Sequence, residues 1–249
     1  MEPPESSSQS QSRLYGDLAW TWPVISPPEA YVKEGEELIT IINQYSRIQP
    51  KTVLHLGSGG GHNDFTLKKQ FDVTGIDKSE TMLALAKQLN PDVTYLRDDM
   101  RTARLKKPFD IVLASDSINH MINEEDLRLV FQTAFANLRK GGLFITFAEE
   151  TVDRFEQSRT FCSTHAKGET EIVFVQNIFD PDPDDTTYEL TLVFLIRNEG
   201  TLHIETDRHL CGLFRKETWR TLLQETGFEI NEIEFEAGSG CPLFICLKF

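Results

Sequence analysis

Long apolar runs, paired cysteines and clusters of basic residues are all missing from this sequence of 249 residues. No apolar run is long enough to span a bilayer, so we expect no membrane contact. The four cysteines show no C-x-x-C spacing, which argues against a zinc site or a redox dithiol. The N-terminus lacks the basic segment and apolar segment of a secretory signal. We therefore expect a cytoplasmic protein with reduced thiols and no metal.

Positive charge is also scarce, with 25 Lys and Arg against 39 Asp and Glu and a net charge of -14. Such a surface repels phosphate backbones, so we expect a small-molecule partner and no nucleic acid. The hydrophobic share of 39% is ordinary for a globular protein. The length suits one large α/β domain with a modest insertion. Residues 1–13 are polar and are predicted to be a disordered tail.

Short apolar runs alternate with segments of helical periodicity over much of the chain. Predicted strands cover residues 52–56, 71–76, 93–96, 109–114 and 143–147. Predicted helices cover residues 30–45, a segment that begins after the N-cap Ser79, and residues 124–139, which a left-handed cap at Gly141 and Gly142 would close. This alternation indicates a parallel sheet with helices on both faces, which binds ligands at the carboxyl ends of its strands.

The periodicity changes to two between residues 151 and 213, which predicts a small antiparallel sheet inserted into the α/β core. The core, residues 14–150 and 214–249, then ends with a helix at 215–226 and strands at 228–235 and 243–247. The predicted fold class is α/β, with a doubly wound, seven-stranded, mostly parallel sheet. We expect the insertion to form a wall of an acceptor pocket or a contact within a homodimer.

A glycine-rich loop, Gly57-Ser58-Gly59-Gly60-Gly61, follows the first predicted strand. Glycine allows a tight turn there and lets a ligand approach the backbone without a Cβ in the way. A dinucleotide fingerprint that starts at Gly57 would need glycine at position 62, which is His62. The spacing therefore argues against a nicotinamide oxidoreductase.

The loop and the motifs after it resemble those of the class I S-adenosylmethionine-dependent methyltransferases, from about Tyr15 to the C-terminus. Asp77 ends the second strand, Asp98-Asp99-Met100 follows the third, and residues 109–113 and 138–143 are similar to later motifs of this family. The resemblance implies that Asp77 accepts the ribose hydroxyls, that Asp99 takes the adenine amino group and that Met100 covers the ring. The implied residues for binding S-adenosyl-L-methionine are Gly57, Ser58, Gly59, Gly61, Asp77, Lys78, Met82, Asp98, Asp99, Met100 and Ser115. For Met82 the helical spacing favours a core position over packing on the adenine.

The segment Ser115–His120 is similar to a loop of small-molecule N-methyltransferases, including those that act on amino sugars. His120 is therefore our first candidate for a catalytic residue, with a role in bracing the loop as the alternative. His209 and Tyr15 are weaker candidates, and Trp20 and Trp22 suggest an N-terminal lid. His55 stands where the family usually carries an acidic residue, so it is either a core histidine or a change in how the cofactor is held.

These observations predict an enzyme that moves a methyl group to a nitrogen or oxygen of a small molecule. Sequence leaves three alternatives open: a catalytically silent protein that binds the cofactor or a partner, a nicotinamide oxidoreductase, and a methyltransferase acting on RNA or protein. Methyl transfer is an in-line displacement, so positioning of the acceptor is the main task of the protein.

Overall fold

The computed structural model describes residues 12–249, so most of the predicted tail, residues 1–11, lies outside the described residues. Its helices are α1 (Trp22–Ile25), α2 (Val32–Tyr45), α3 (His62–Leu67), α4 (Glu80–Leu89), α5 (Glu124–Asn137) and α6 (Lys216–Thr226). Its strands are β1 (Thr52–Leu56), β2 (Asp72–Asp77), β3 (Thr94–Arg97), β4 (Phe109–Ala114), β5 (Leu138–Phe147), β6 (Thr160–Lys167), β7 (Thr170–Phe179), β8 (Thr187–Asn198), β9 (Thr201–Gly212), β10 (Glu229–Phe235) and β11 (Cys241–Leu247).

Seven strands form the main sheet in the order β3-β2-β1-β4-β5-β11-β10. β1 pairs in parallel with β2 and β4, whereas β11 runs antiparallel to both β5 and β10. The predicted α/β fold class is confirmed. The carboxyl ends of the first four strands consequently meet at one edge of the sheet, where the glycine-rich loop begins.

Side chains of the central strands alternate between two hydrophobic layers, as the pleat of a strand requires. Leu54 and Val112 pack with Phe131 of α5 and Trp219 of α6 on one face. Val53, Ile111 and Leu113 pack on the other face with apolar residues of α2, which include Leu38 and Ile42. Both faces are therefore covered, and the open edge of the sheet is left for a ligand.

The predicted end of the helix before β5 is wrong. α5 ends at Asn137, whose side-chain amide donates to the carbonyl oxygens of Ala103 and Thr133 at 3.0 and 2.9 Å. Residues from Leu138 onward pair with β4 instead of continuing the helix. Gly141 does adopt a positive φ of 79°, but it lies within β5, where its N–H donates to the carbonyl of Lys248 at 2.7 Å. Gly141 therefore lies in an irregular strand and does not cap a helix.

The segment inserted between the two parts of the core forms a separate four-stranded antiparallel sheet in the order β6-β7-β8-β9. Its inner face packs Ile172 and Phe194 against Leu14, Leu18 and Ile25 of the N-terminal arm, which we define as residues 12–31. The sequence pattern did not predict β6. Almost all of its side chains are exposed, so its sequence shows no alternation of apolar and polar residues.

Membrane crossing requires a long apolar helix, and none of the helices in residues 12–249 meets that requirement.

Candidate functional site

A cavity of about 870 Å³ lies at the carboxyl edge of the main sheet, with the N-terminal arm and β9 forming its other walls. Ten of the eleven residues predicted to hold the cofactor line this cavity: Gly57, Ser58, Gly59, Asp77, Lys78, Met82, Asp98, Asp99, Met100 and Ser115. All three candidate catalytic residues, Tyr15, His120 and His209, line it as well. Residues far apart in sequence therefore converge on one site.

The glycine-rich loop bends through positive φ angles of 70° at Gly57 and 51° at Gly59. A Cβ on Gly57 would stand 2.0 Å from Oγ of Ser117, so the β4 loop lies directly against it. A Cβ on Gly59 would meet nothing closer than Met82 Cε at 3.6 Å, which leaves the backbone open to the cavity. The loop thus offers main-chain groups to a ligand at Gly59.

Gly61 is the predicted site residue that does not line the cavity. A Cβ there would lie 2.4 Å from Oη of Tyr95, and its carbonyl accepts a hydrogen bond from the Asn90 amide at 2.8 Å. Its small size allows α3 to pack against α4 and β3, which is a structural role. Gly60 lines the cavity instead.

Asp77 at the end of β2 joins the loop to the start of α4. Its carboxylate accepts the N–H of Gly59 at 2.9 Å and the N–H of Ser79 at 2.8 Å. The Ser79 hydroxyl accepts the N–H of Met82 at 3.1 Å, as expected for an N-cap, and donates to the carbonyl of Tyr15 at 2.6 Å. This cap therefore fixes α4 and the N-terminal arm beside Asp77.

Charged side chains surround the cavity near the end of β3. Arg101 donates from Nη2 to Asp99 at 2.8 Å and from Nη1 to Asp126 at 2.9 Å, and Lys78 lies 3.3 Å from Asp99. Burial raises the pKa of Asp99, but the hydrogen bonds from Arg101 outweigh it and hold this pKa at about 2. Asp98 turns inward to accept the N–H of Asp99 at 2.8 Å. Asp99 is therefore an ionised acceptor at this end.

His55 is buried at the end of β1 and has both ring nitrogens engaged. Nδ1 lies 2.7 Å from Asp64 and Nε2 lies 3.0 Å from the hydroxyl of Ser115. Asp64 also accepts the hydroxyl of Tyr95 at 2.9 Å. Burial lowers the pKa of His55, yet the neighbouring charge of Asp64 more than offsets it and the net shift is upward. His55 is thus a buried, fully bonded histidine in the cavity wall.

Tyr15, His120 and His209 form a triangle of rings with centroids 5.3 to 5.5 Å apart. The Tyr15 hydroxyl lies 3.0 Å from Nε2 of His120. Burial, together with the nearby His209, lowers the pKa of His120 to about 4. His120 is therefore neutral at pH 7 and presents a lone pair instead of a charge.

Asp207 of β9 fixes His209 and the start of the N-terminal arm through a single oxygen atom. Oδ2 accepts the Ser12 hydroxyl at 2.8 Å, the N–H of Leu14 at 2.7 Å and Nε2 of His209 at 2.8 Å. Because a carboxylate only accepts, Nε2 of His209 must carry the proton. Its Nδ1 has no hydrogen-bond partner among residues 12–249.

The lid predicted from Trp20 and Trp22 corresponds to one cavity-lining residue. Trp22 lines the cavity and donates from Nε1 to Nδ1 of His62 at 3.0 Å, whereas Trp20 is 48% exposed. His62, the residue that breaks the dinucleotide fingerprint, therefore anchors the arm over the loop.

A group of acidic residues near the start of α3 was not predicted from the sequence. Glu34 accepts the Asn63 amide at 2.8 Å, and burial and the charge of Asp116 raise the pKa of Glu34 to about 7. Desolvation also raises the pKa of Asp116, and it raises that of Glu149, which accepts the Asn119 amide at 2.6 Å. The position of Asp116 directly after β4 and Ser115 was the one available signal. Glu34 and Asn63 have no motif around them.

The chain is similar to known methyltransferases. Residues 53–142 match a family described as methyltransferase domain. The chain is 24% identical over 94% of its length to a Streptomyces fradiae dTDP-3-amino-3,6-dideoxy-alpha-D-glucopyranose N,N-dimethyltransferase, of which it covers 92%. It is 29% identical over 56% of its length to a Bacillus cereus malonyl-[acyl-carrier protein] O-methyltransferase, of which it covers 55%. Its fold is similar to that of an amino pentose methyltransferase from Micromonospora echinaspora, with a TM-score of 0.80, 19% identity, and coverage of 99% of this chain and 100% of the other.

Proposed function

The chain is an S-adenosylmethionine-dependent methyltransferase, and we propose that it methylates an amine nitrogen of a small molecule. One observation carries the proposal: the cavity runs from the predicted cofactor residues to the ring triangle of Tyr15, His120 and His209, in which His120 is neutral at pH 7. A neutral imidazole at this place suits an amine that reacts through its lone pair. The names of relatives that act on amino sugars support nitrogen as the acceptor atom, and no comparison supports the catalytically silent alternative.

The residues present fit S-adenosyl-L-methionine. The backbone at Gly59 is open toward the cavity, and the cavity volume lies within the range for small-molecule sites. Asp77 and Asp99 supply acceptors at the ends of β2 and β3, where ribose hydroxyls and an adenine amino group would donate. Four arginine and lysine side chains line the cavity, and each contacts a carboxylate, so the site is not built for a pyrophosphate.

The cofactor, when bound, supplies a methyl group on a sulfonium that needs only a nucleophile held in line. The protein's task is therefore to position the amine and to exclude water. Tyr15 and His120 are placed to hold the acceptor, since their hydroxyl and ring nitrogen lie 3.0 Å apart on the cavity wall. His120, with a pKa of about 4, is too weak a base to deprotonate an ammonium ion at pH 7. We infer that the acceptor binds as the free amine and that these groups orient its N–H bonds.

The insertion contributes a wall of the acceptor site through β9. His209, Arg208 and Leu210 of β9 all line the cavity, and Asp207 fixes His209 there. This arrangement supports the expectation that acceptor choice depends on the inserted sheet.

The outer face of the same sheet supports the expected homodimer. Val173, Leu195 and Ile204 lie side by side across β7, β8 and β9, and Ile204 is 60% exposed. Apolar rows that stay partly exposed in the monomer are typical of subunit contacts. Sedimentation of the wild type and of Ile204→Glu tests the contact: the variant should be monomeric, and a monomeric wild type would refute it.

A radiolabelled methyl-transfer assay with a panel of small amines, alcohols and carboxylic acids tests the function. We expect turnover with amines and a drop of roughly tenfold to a thousandfold in kcat/KM for His120→Ala, on the scale of losing a positioning contact. The matched control is His203→Ala, which removes an exposed histidine of β9. Methylation of alcohols or acids without any amine substrate would refute nitrogen as the acceptor atom.

A further inference from the structure

Cofactor binding in this fold needs a partner for the α-ammonium at the methionine end, and the family's usual acidic residue is replaced here by His55. We propose that Asp116 and Asn63 hold this ammonium and that Glu34 is a positioning residue for Asn63. The proposal rests on the cofactor assignment made above, but not on the identity of the acceptor.

His55 lines the cavity but has no ring nitrogen free to bind the ammonium. Its two ring nitrogens are bonded to Asp64 and to Ser115. The carboxylate of Asp64 is fully buried and also accepts the Tyr95 hydroxyl, so it faces the core and not the cavity. Neither member of the pair can therefore take over the missing acidic role.

Strand order places the methionine end near Asp116. Adenine and ribose acceptors stand at β3 and β2, and the sheet continues through β1 to β4. Adjacent strands are spaced by roughly 4.8 Å, so an extended ligand that begins over β3 reaches the end of β4 after three such steps. Asp116 lies two residues after the end of β4 and lines the cavity, as does Asn63 at the start of α3.

Asn63 presents an unused acceptor at this position. It is 4% exposed, lies on the cavity wall and donates from Nδ2 to Glu34 at 2.8 Å. Its Oδ1 has no partner among the described residues. Glu34, when ionised, can only accept, so it fixes the amide with Oδ1 turned away from itself. A buried oxygen without a donor is costly, and an ammonium would supply the donor.

Electrostatics favour a cation at the same place. Desolvation raises the pKa values of both Glu34 and Asp116, and the negative charges of Asp116 and Glu37 add to the rise at Glu34. A side-chain hydrogen bond between Asp116 and Glu149 lowers the pKa of Asp116 and raises that of Glu149. Within residues 12–249, the cationic group that opposes these shifts is His55, and it is already paired with Asp64. An ammonium beside Asp116 would lower both pKa values.

Two ligands that differ only in the amino-acid end test the proposal by calorimetry. S-adenosylhomocysteine carries the α-ammonium, whereas 5′-methylthioadenosine lacks the entire amino-acid end. Asp116→Asn should weaken the binding of S-adenosylhomocysteine by roughly tenfold to a hundredfold, the scale of a charge-assisted hydrogen bond, and leave methylthioadenosine unchanged. Asn63→Ala should show a smaller loss with the same selectivity. Asp153→Asn, at an exposed position, is the control that should bind both ligands as the wild type does.

Proton release gives a second readout that needs no substitution. Near pH 7 Glu34 holds part of a proton, and a neighbouring ammonium should expel it. Titrations in buffers of different ionisation enthalpy should detect this release with S-adenosylhomocysteine and not with methylthioadenosine. The proposal would be overturned if Asp116→Asn lost affinity equally for both ligands, or for neither. It would also be overturned if both ligands released protons to the same extent. An effect confined to the KM of the amine acceptor would assign the cluster to the acceptor instead and also overturn it. Failure of every amine in the transfer assay would leave these binding results intact.

Discussion

Replacing Glu34 by glutamine should raise the free energy of unfolding of the ligand-free protein at neutral and alkaline pH. Glutamine keeps an oxygen that can accept the Asn63 amide but removes a carboxylate whose folded-state pKa is raised from 4.5 to about 7. That difference corresponds to about 3 kcal/mol of destabilisation when the group is fully ionised. Coupling to Asp116 and partial solvent access reduce it, so we expect a gain of about 1 to 3 kcal/mol.

The sign of the effect follows from proton binding. Between pH 4.5 and about 7 the folded protein holds a proton on Glu34 that the unfolded chain has lost. The stability of the wild type should therefore fall as pH rises through this window and then level off, as far as this group determines it. The Glu34→Gln protein lacks the group, so its advantage should be small near pH 4.5 and largest above about pH 7.

Urea unfolding at a series of pH values, without cofactor, measures this difference. The comparison uses the change in unfolding free energy between Glu34→Gln and the wild type, with Asp153→Asn as a control for removing an exposed acidic residue. An advantage that does not change with pH, or that is largest in acid, would refute the reasoning. The same substitution should weaken the binding of S-adenosylhomocysteine, because it removes a negative charge beside Asp116 and the proposed ammonium site, so stability and binding should move in opposite directions.

Three further substitutions probe the loop and the arm. Gly57→Ala should abolish cofactor binding, since its φ of 70° and the contact with Ser117 leave no room for a Cβ; binding by the folded variant, checked by circular dichroism, would contradict this. Asp77→Ala should weaken S-adenosylhomocysteine by about 2 kcal/mol in calorimetry through the loss of a charged acceptor, and unchanged affinity would show that Asp77 does not face the ribose. Asp207→Asn should make the segment around Tyr15 more sensitive to limited proteolysis, because Asp207 binds the start of the arm; an unchanged digestion pattern would count against that role.

Much of the fold could be predicted because the central strands are fully buried. Residues 52–56 and 109–114 are apolar runs bounded by polar positions, and the structure has strands with the same bounds. β6 could not be predicted, since its side chains are exposed and its pairing with β7 depends on the backbone. The end of α5 was misplaced because a glycine pair near a helix end usually marks a cap, whereas pairing of Leu138 with β4 determines the outcome here.

The site divides in the same way. Glycine and acidic residues at strand ends were predictable because the carboxyl edge of a parallel sheet is where such residues bind ligands. Asn63 and Glu34 were not, because their role depends on the contact between α2 and α3 and not on any spacing within the chain. Asp207 was missed for a similar reason, since its partners Ser12 and Leu14 are almost two hundred residues away in sequence, as their separations of 195 and 193 show.

The register of β9 limits how the insertion can change over evolution. His209 lines the cavity and Asp207 fixes it there, because both side chains share one face of a strand in which neighbouring residues point in opposite directions. A one-residue deletion in β9, between the hairpin at Asn198–Thr201 and Asp207, would turn both side chains outward and Arg208 inward if the pairing with β8 is kept. Insertions at the hairpin tip, by contrast, leave this face unchanged. In related sequences the length of the hairpin tip should therefore vary freely. The number of β9 residues between the hairpin and the positions of Asp207 and His209 should change only by even numbers.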